Sequence, residues 1–222
     1  MDVIDQARKE GRRILTEYES KMILKDYGIP TVRERLVYDK DQCLSAIREI
    51  GFPVVMKGCA ADIPHKSELG LVIMDVRDEQ EAEANFEKIM REMPANSPAV
   101  LVQEMVKGKR EFVAGLIRDA QFGPTVMFGI GGIFAEILAD TVFRLAPFGR
   151  EEALRMIKGI KGRKILDAVR GMQAVDLDLL AHILMKLGKM AVEQPDISEI
   201  DINPLIISGS VPVAADALIV LH

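Results

Sequence analysis

The character of the sequence changes at Pro98, and this change limits the folds open to the chain. Before it, strand-like runs such as TVRERLVY (residues 31–38) alternate with amphipathic helical stretches such as residues 39–50. After it, three β-type segments follow one another between residues 99 and 129. Alternation followed by a meander predicts two α+β lobes rather than one doubly wound sheet. A cleft between two lobes is a common place for a ligand.

Composition and charge exclude several classes of protein. The chain has 222 residues, 49% of them hydrophobic, which is enough to bury a substantial core. A formal net charge of -5 argues against nucleic-acid binding, which normally requires a basic face. The longest apolar stretch, residues 122–139, contains four glycines, a proline and Glu136, so we expect no membrane span. The N-terminal segment is acidic from its second residue and lacks the apolar region of a secretion signal, which predicts a cytoplasmic protein.

Cysteine spacing and two missing motifs narrow the chemistry further. Cys43 and Cys59 are isolated thiols without C-x-x-C spacing, so we expect reduced, inert cysteines rather than a disulfide. Neither the dinucleotide fingerprint G-x-G-x-x-G nor the phosphate loop G-x-x-x-x-G-K-[ST] occurs in the sequence. Two widespread nucleotide-binding architectures therefore lose support.

The C-terminal stretch EIDIN predicts a strand with one oxygen-rich face. Glu199, Asp201 and Asn203 alternate with isoleucines, and successive strand residues point to opposite faces. If residues 209–210 (Gly-Ser) form a two-residue hairpin turn, Asn203 lies directly opposite Asp216. An amide oxygen and a carboxylate in that arrangement are suited to Mg²⁺, which keeps several waters and bridges to phosphates. The alternative is a solvated strand face with a cross-strand hydrogen bond.

Three other features are compatible with a bound nucleotide, and each has a simpler interpretation. The glycine-rich run at residues 129–132 follows a β segment, where N–H groups can approach an anion; a tight turn between strands is the alternative. Lys57 ends an apolar strand, where its ammonium can reach a phosphate, or it is a snorkelling surface lysine. The segment QEMVKGKRE (residues 103–111) joins the two halves and supplies either hinge and ribose contacts or exposed charge. His182 lies among core-type residues of a predicted helix and is interpreted as structural.

In chain order, these stretches resemble the ATP-grasp (beta) subunit of the ADP-forming acyl-CoA (acetyl-CoA) synthetases, relatives of succinyl-CoA synthetase. The resemblance extends over residues 14–220. It implies one ATP-grasp domain of the α+β class, in which a nucleotide is held between two lobes. The smaller lobe is then residues 21–103, and the larger lobe is residues 1–20 and 104–222, including the metal-binding hairpin. The matching stretches are LTEYESKMILKDYGIP, FPVVMKG, HKSELGLV, VQEMVKGKREFVAGLIRDAQFGPTVMFGIGGIFAEILAD, FRLAP, EIDINPLII and AADALI.

The resemblance also implies roles for individual residues toward ATP or ADP and Mg²⁺. It makes Lys57 a phosphate contact and assigns Mg²⁺ to Asn203 and Asp216, with Asp201 as a nearby supporting carboxylate. The remaining implied contacts are the adenine hinge Gln103, Glu104, Met105 and Val106, the ribose-side acid Glu111, and the phosphate contacts Gly131, Gly132 and Arg144.

His65 matches the histidine that, in the two-subunit enzymes, sits on a mobile loop and is phosphorylated. Its neighbours are Lys66, Ser67 and Glu68, the last of which would orient the imidazole. A neutral imidazole with a pKa near 6.5 is both a nucleophile toward phosphorus and a good leaving group. In the implied cycle, a partner subunit converts acyl-CoA and phosphate to an acyl phosphate and CoA, and its own histidine takes the phosphoryl group. His65 then carries that group to Mg·ADP.

The resemblance makes this chain one half of an enzyme. The sequence contains nothing like a CoA-binding domain, which the resemblance assigns to an alpha subunit in an assembly of two alpha and two beta chains. Two other hypotheses remain open. One is an ATP-grasp ligase that activates a carboxylate directly and does not need His65, and the other is a nucleotide-sensing regulatory domain without turnover.

Overall fold

A computed structural model describes residues 3–60, 69–93, 98–132, 140–169 and 171–222. His65 and Glu68 lie outside the described residues. The helices are α1 (Val3–Lys9), α2 (Glu17–Asp26), α3 (Lys40–Ile50), α4 (Glu79–Glu92), α5 (Arg150–Gly159) and α6 (Leu177–Glu193), with a 3₁₀ helix at Arg163–Leu166. The strands are β1 (Glu34–Val37), β2 (Val54–Cys59), β3 (Val72–Val76), β4 (Ala99–Glu104), β5 (Glu111–Asp119), β6 (Gly123–Ile130), β7 (Thr141–Leu145), β8 (Ile197–Ser208), β9 (Val211–Ala214) and β10 (Leu218–Leu221). Among the described residues, no helix has the length and apolar character needed to cross a membrane.

The chain separates into two compact units. The larger unit consists of Met1–Leu15, Glu19–Thr31 and Lys107–His222. The smaller unit consists of Val32–Val106 and Thr16–Tyr18. The smaller unit thus begins at Val32, with a short piece at the start of α2, whereas the sequence placed its start at residue 21.

Capping side chains start the helices of the smaller unit, and a glycine ends one of them. Asp39 caps α3 by accepting a hydrogen bond from the backbone N–H of Gln42 at 2.8 Å, and Gly51 with φ of +86° ends the helix. Asp78 caps α4 in the same way. The first of these caps confirms the helix predicted at residues 39–50.

The smaller unit is a four-stranded antiparallel sheet with helices packed on one face. The strand order is β1-β4-β2-β3, so β2 and β4 are central. Alternate residues of these two strands join α3 and α4 in one buried cluster, whereas Val55, Lys57, Leu101 and Gln103 occupy the other face. The cluster also contains Cys43, whose pKa burial raises to about 11. The strand residues in this cluster are Val54, Met56, Val100 and Val102.

The larger unit is a six-stranded sheet with one covered face. The order is β10-β8-β5-β6-β7, and β9 pairs with β8. Side chains from β5, β6 and β8 pack with α5 and α6 in a second buried cluster, which α1 and α2 extend. The sheet residues in this cluster include Phe112, Ala114, Leu116, Val126, Phe128, Ile200 and Ile202. The alternate residues of the same strands form the face opposite these helices, which we call the open face.

The β8–β9 hairpin has the register that the sequence predicts. Gly209 has φ of +63°, which suits the first central position of a two-residue turn. Leu205 pairs with Ala214 on the turn side, and Asp201 pairs with Leu218 on the far side. The two pairs have the same register, and residues 215–217 between them lie outside the strands.

Arg110 connects this hairpin to residues 165–173 of the larger unit through hydrogen bonds. It is buried, and its guanidinium donates hydrogen bonds to four backbone carbonyl oxygens. Two of these carbonyls belong to Gln173, at 2.6 Å, and to Gly209 in the hairpin turn, at 3.1 Å. The others belong to Ile165 and Asp167. Five donors in a rigid plane allow one arginine to hold several carbonyls together.

Arg110→Met is therefore expected to lower the free energy of unfolding by about 3–5 kcal/mol, because it leaves buried carbonyls without their charged donor. Denaturant unfolding measures this loss, and hydrogen exchange should increase in residues 163–173 and 205–214. Arg155→Met is the matched control, since Arg155 is exposed and pairs only with α5 carboxylates among the described contacts. Its expected cost is below about 0.5 kcal/mol. Equal stability of the two variants would contradict the role given to Arg110.

Candidate functional site

The open face of the larger sheet carries a cluster of oxygen ligands. Asp201 lies between the core-facing residues Ile200 and Ile202 and is therefore on the open face. Asn203 follows Ile202 and is exposed, next to a shift in the β5–β8 register. The register of the pairs on either side sets Asn203 opposite Asp216, and the N–H of Ala215 donates to the carbonyl of Pro204 at 3.1 Å. The hairpin backbone thus places the positions of Asn203 and Asp216 across from each other, and the carboxylate of Asp216 is close enough to act on that of Asp201.

The electrostatics of this cluster favour a bound cation. The pKa of Asp201 is raised to about 6, mainly because burial disfavours its charged form and further because the carboxylates of Glu199 and Asp216 repel it. Neighbouring negative charges of this kind are relieved by a cation. Within the described parts of the chain, no group of three or more His, Cys, Asp or Glu side chains is arranged to hold a metal ion. The chemistry of one carboxylate and one amide oxygen fits Mg²⁺, whose remaining positions water or phosphate can fill.

Gly131, Gly132 and Glu111 also come together in the larger unit. The N–H of Gly131 donates to the carbonyl of Glu111 at 2.8 Å. A Cβ at Gly131 would lie 2.8 Å from the backbone carbon of Phe112, so only glycine fits there. Gly132 has φ of +66°, and a Cβ on it would lie 2.8 Å from Oε2 of Glu111. Because Phe112 points into the core, its neighbour Glu111 is on the open face, the same face as Asp201.

Arg144 is not brought to this cluster. It pairs with core-facing Val126 in the sheet register, so it lies on the helix-covered face rather than the open face. Its guanidinium donates to Glu152 of α5 at 2.5 Å and to the carbonyl of Phe143 at 2.7 Å. A one-residue difference in position along a strand decides which face a side chain occupies, and the stretch FRLAP does not indicate that face.

The smaller unit places Lys57 and Gln103 on one face of its sheet. Val55 pairs with Gln103, and Lys57 pairs with Leu101, so all four side chains share the face opposite α3 and α4. Lys57 and Gln103 are both buried, with 5% and 3% of their surface exposed. The Nζ atom of Lys57 lies 2.6 Å from Oε1 of Glu17. Lys57 is therefore not a snorkelling surface lysine but one member of a buried ion pair.

The other residues of the predicted adenine hinge, 104–106, are less buried than Gln103. Glu104 accepts hydrogen bonds from the N–H and the guanidinium of Arg33 at 2.8 and 2.9 Å, so its carboxylate is already engaged. Met105 and Val106 are half-buried and follow the end of β4. The N–H of Met105 donates to the carbonyl of Pro53 at 3.2 Å.

The environment of His182 differs from the core position expected from the sequence. It lies in α6, as predicted, but its side chain is exposed instead of packed in the core. It lines a cavity of about 410 Å³ together with Phe148 and Met185. The amphipathic pattern of α6 fixed the helix but did not fix the side of it on which His182 falls.

Comparison with known proteins decides the family. A sequence model of the ATP-grasp domain matches residues 6–221. The chain is 42% identical to the beta subunit of acetate–CoA ligase [ADP-forming] I from Pyrococcus furiosus, over 99% of this chain and 97% of that one. The chain belongs to the ATP-grasp family of ADP-forming acetate–CoA ligase beta subunits.

Solved structures of relatives agree with this family assignment. The acetyl-coenzyme A synthetase 1 of Candidatus Korarchaeum cryptofilum, in complex with coenzyme A and Ca-AMPCP, superposes with a TM-score of 0.94 at 38% identity, covering 100% of this chain and 99% of that one. A second structure of that enzyme contains coenzyme A and Mg-AMPPCP, and its phosphohistidine segment points towards the nucleotide binding site. It superposes with a TM-score of 0.87 at 38% identity over the same shares of the two chains. The ATP-grasp fold and the resemblance derived from the sequence are thereby confirmed.

Within this beta subunit, sequence reasoning missed Glu17. In the stretch LTEYESK, Thr16 and Glu19 have the spacing of a capping box, which predicts the start of a helix but gives Glu17 no role. The structure pairs Glu17 with Lys57, and shows Glu19 accepting hydrogen bonds from Arg12. A local motif gives no indication of a partner that lies 40 residues away along the chain.

Proposed function

We propose that this chain is the nucleotide-binding subunit of an ADP-forming acyl-CoA synthetase and transfers a phosphoryl group from His65 to Mg·ADP. The observation that carries the proposal is the likeness, over the whole chain, to an enzyme whose phosphohistidine segment points towards a nucleotide site holding Mg-AMPPCP. His65 lies in the stretch HKSELGLV, which resembles the phosphorylated segment of the family. The overall reaction is acyl-CoA, ADP and phosphate giving carboxylate, CoA and ATP.

The described residues supply binding and charge compensation for this step. Lys57 offers a positive charge to the nucleotide phosphates, and Gln103 leads the segment proposed to bind adenine. The backbone N–H groups near Gly132 can come close to a phosphate because glycine has no Cβ. Asn203 and Asp216 would hold Mg²⁺, which when bound neutralises charge on the nucleotide phosphates.

The transfer needs only ADP and one proton, which solvent supplies. The phosphorus–nitrogen bond of phospho-His65 breaks while an oxygen of the terminal phosphate of ADP forms the new bond to phosphorus. The imidazole takes up one proton as it leaves. Imidazole is a good leaving group, so the protein contributes mainly by positioning and by electrostatic stabilisation.

We also propose a CoA-binding alpha subunit as the partner, in an assembly of two alpha and two beta chains. Two observations support this. The Pyrococcus relative is named a beta subunit, and the Korarchaeum structures contain coenzyme A. The acyl-phosphate chemistry is then carried out on the partner.

The test is labelling of the alpha–beta complex with [γ-³²P]ATP. We expect acid-labile, base-stable label that maps to the beta-chain peptide containing His65 and that ADP removes as labelled ATP. A direct carboxylate ligase needs no such label, and a nucleotide sensor binds ATP without phosphoryl exchange. Absence of base-stable label on the beta chain would therefore overturn the proposal.

A further inference from the structure

Lys57 and Glu17 form an ion pair that is removed from solvent. The Nζ–Oε1 distance is 2.6 Å, and the two side chains are 7% and 2% exposed. Lys57 belongs to the central strand β2 of the smaller sheet. Glu17 is the first residue of α2, and its segment Thr16–Tyr18 groups with the smaller unit. A carboxylate in the first turn is also favoured by the helix dipole.

Stability alone does not account for a pair in this position. Removing two charges from water is costly, and well-packed apolar residues of similar volume commonly give equal or greater stability. Surface pairs of this chain, such as Arg155 with Glu151, carry no such cost because they stay hydrated. A buried pair with one long, flexible member therefore suggests that the orientation of that member matters.

The flexible member is the residue for which we propose contact with phosphate. A lysine side chain has four rotatable methylene units and a compact charge, so it takes many positions unless something fixes it. An ammonium has three N–H donors and can bind a carboxylate and a phosphate oxygen together. Protein kinases use the same physical device, where a helix glutamate holds the strand lysine that contacts ATP phosphates.

We propose that Glu17 is a positioning residue for phosphoryl transfer: its buried carboxylate holds the Lys57 ammonium in the orientation that the nucleotide phosphates require. This inference rests on the proposed function. In this inference, Glu17 affects the transfer through its contact with Lys57. Its loss should therefore slow the transfer step more than it weakens nucleotide binding, because misplacement of a charge-stabilising group by about 1 Å can cost 100-fold in rate.

The test measures discharge of the phosphorylated alpha–beta complex by ADP in single turnover, together with the Kd of ADP. Glu17→Gln keeps the shape and an acceptor oxygen but removes the charge. We expect its rate of discharge to fall about 10- to 100-fold, with Kd within about 3-fold of the wild type. Glu17→Asp should recover part of the rate. Glu19→Gln is the matched control on the same helix, because Glu19 pairs with Arg12 instead, and it should keep the wild-type rate.

A double-mutant cycle separates positioning from a purely structural role. If Glu17 acts through Lys57, then Glu17→Gln has no further effect on the rate in a Lys57→Gln background. Additive losses, or a wild-type rate in folded Glu17→Gln, would overturn the inference. If Glu17→Gln does not fold, Glu17→Asp retains both charges and takes its place, and a wild-type rate there has the same meaning. Failure of the proposed function looks different, because Lys57→Gln would then change neither Kd nor rate.

Discussion

Replacing His65 by alanine is expected to lower ATP formation from acyl-CoA, phosphate and ADP by at least about 10⁴-fold. Removal of a covalent nucleophile from an enzyme that depends on it costs up to about 10⁶-fold, and background transfer gives the lower bound. Alanine offers no atom that can bond to phosphorus and release it again. The measurement is steady-state ATP synthesis by the alpha–beta complex.

Measuring the partial reactions separately shows which step the His65→Ala substitution blocks. Conversion of acyl-CoA and phosphate to acyl phosphate and CoA is assigned to the partner, so a single turnover of that step should persist in the variant. His182→Ala is the matched control, since His182 is exposed on α6 and has no proposed part in the transfer. It should retain both labelling and turnover. A direct carboxylate ligase predicts instead that His65→Ala turns over within a few-fold of the wild type.

Local patterns in the sequence were sufficient to predict several helices and strands and the register of the β8–β9 hairpin. The helix predicted at residues 39–50 begins at the Asp39 cap, because a capping side chain acts on N–H groups only a few residues away. The hairpin register followed from strand alternation and a Gly-Ser turn, which together determine the position of Asp216 relative to Asn203. Both signals act over short distances along the chain, and that is why they can be recognised in the sequence.

Features that depend on tertiary arrangement could not be predicted in this way. Arg110 reaches carbonyls up to 99 residues away, and the Glu17–Lys57 pair spans 40 residues. Nothing in the residues next to Lys57 indicates which of many carboxylates will reach it. Arg144 illustrates another limit, because the face on which it lies depends on the register of β7, an edge strand of its sheet.

Substitution of Asp216 provides a test of the proposed Mg²⁺ site. Asp216→Asn is expected to raise the Mg²⁺ concentration needed for half-maximal phosphoryl discharge by about 100- to 1000-fold. Residues that only support a metal ligand contribute about 10- to 100-fold in affinity, and a direct carboxylate ligand should exceed that range. The change also removes the negative charge that a hard divalent cation prefers.

Two further variants test whether the effect of Asp216→Asn arises from the loss of a Mg²⁺ ligand. Asp178→Asn removes an exposed carboxylate from α6, which has no part in the hairpin cluster, and it should leave the Mg²⁺ requirement within about 3-fold. Asp216→Cys replaces a hard ligand with a soft one, so a thiophilic ion such as Cd²⁺ should restore discharge better than Mg²⁺ does. A structural role for Asp216 predicts no such change in metal preference. If Asp216→Asn retains the wild-type Mg²⁺ requirement, the hairpin face carries solvated side chains only, and the cation must be held elsewhere.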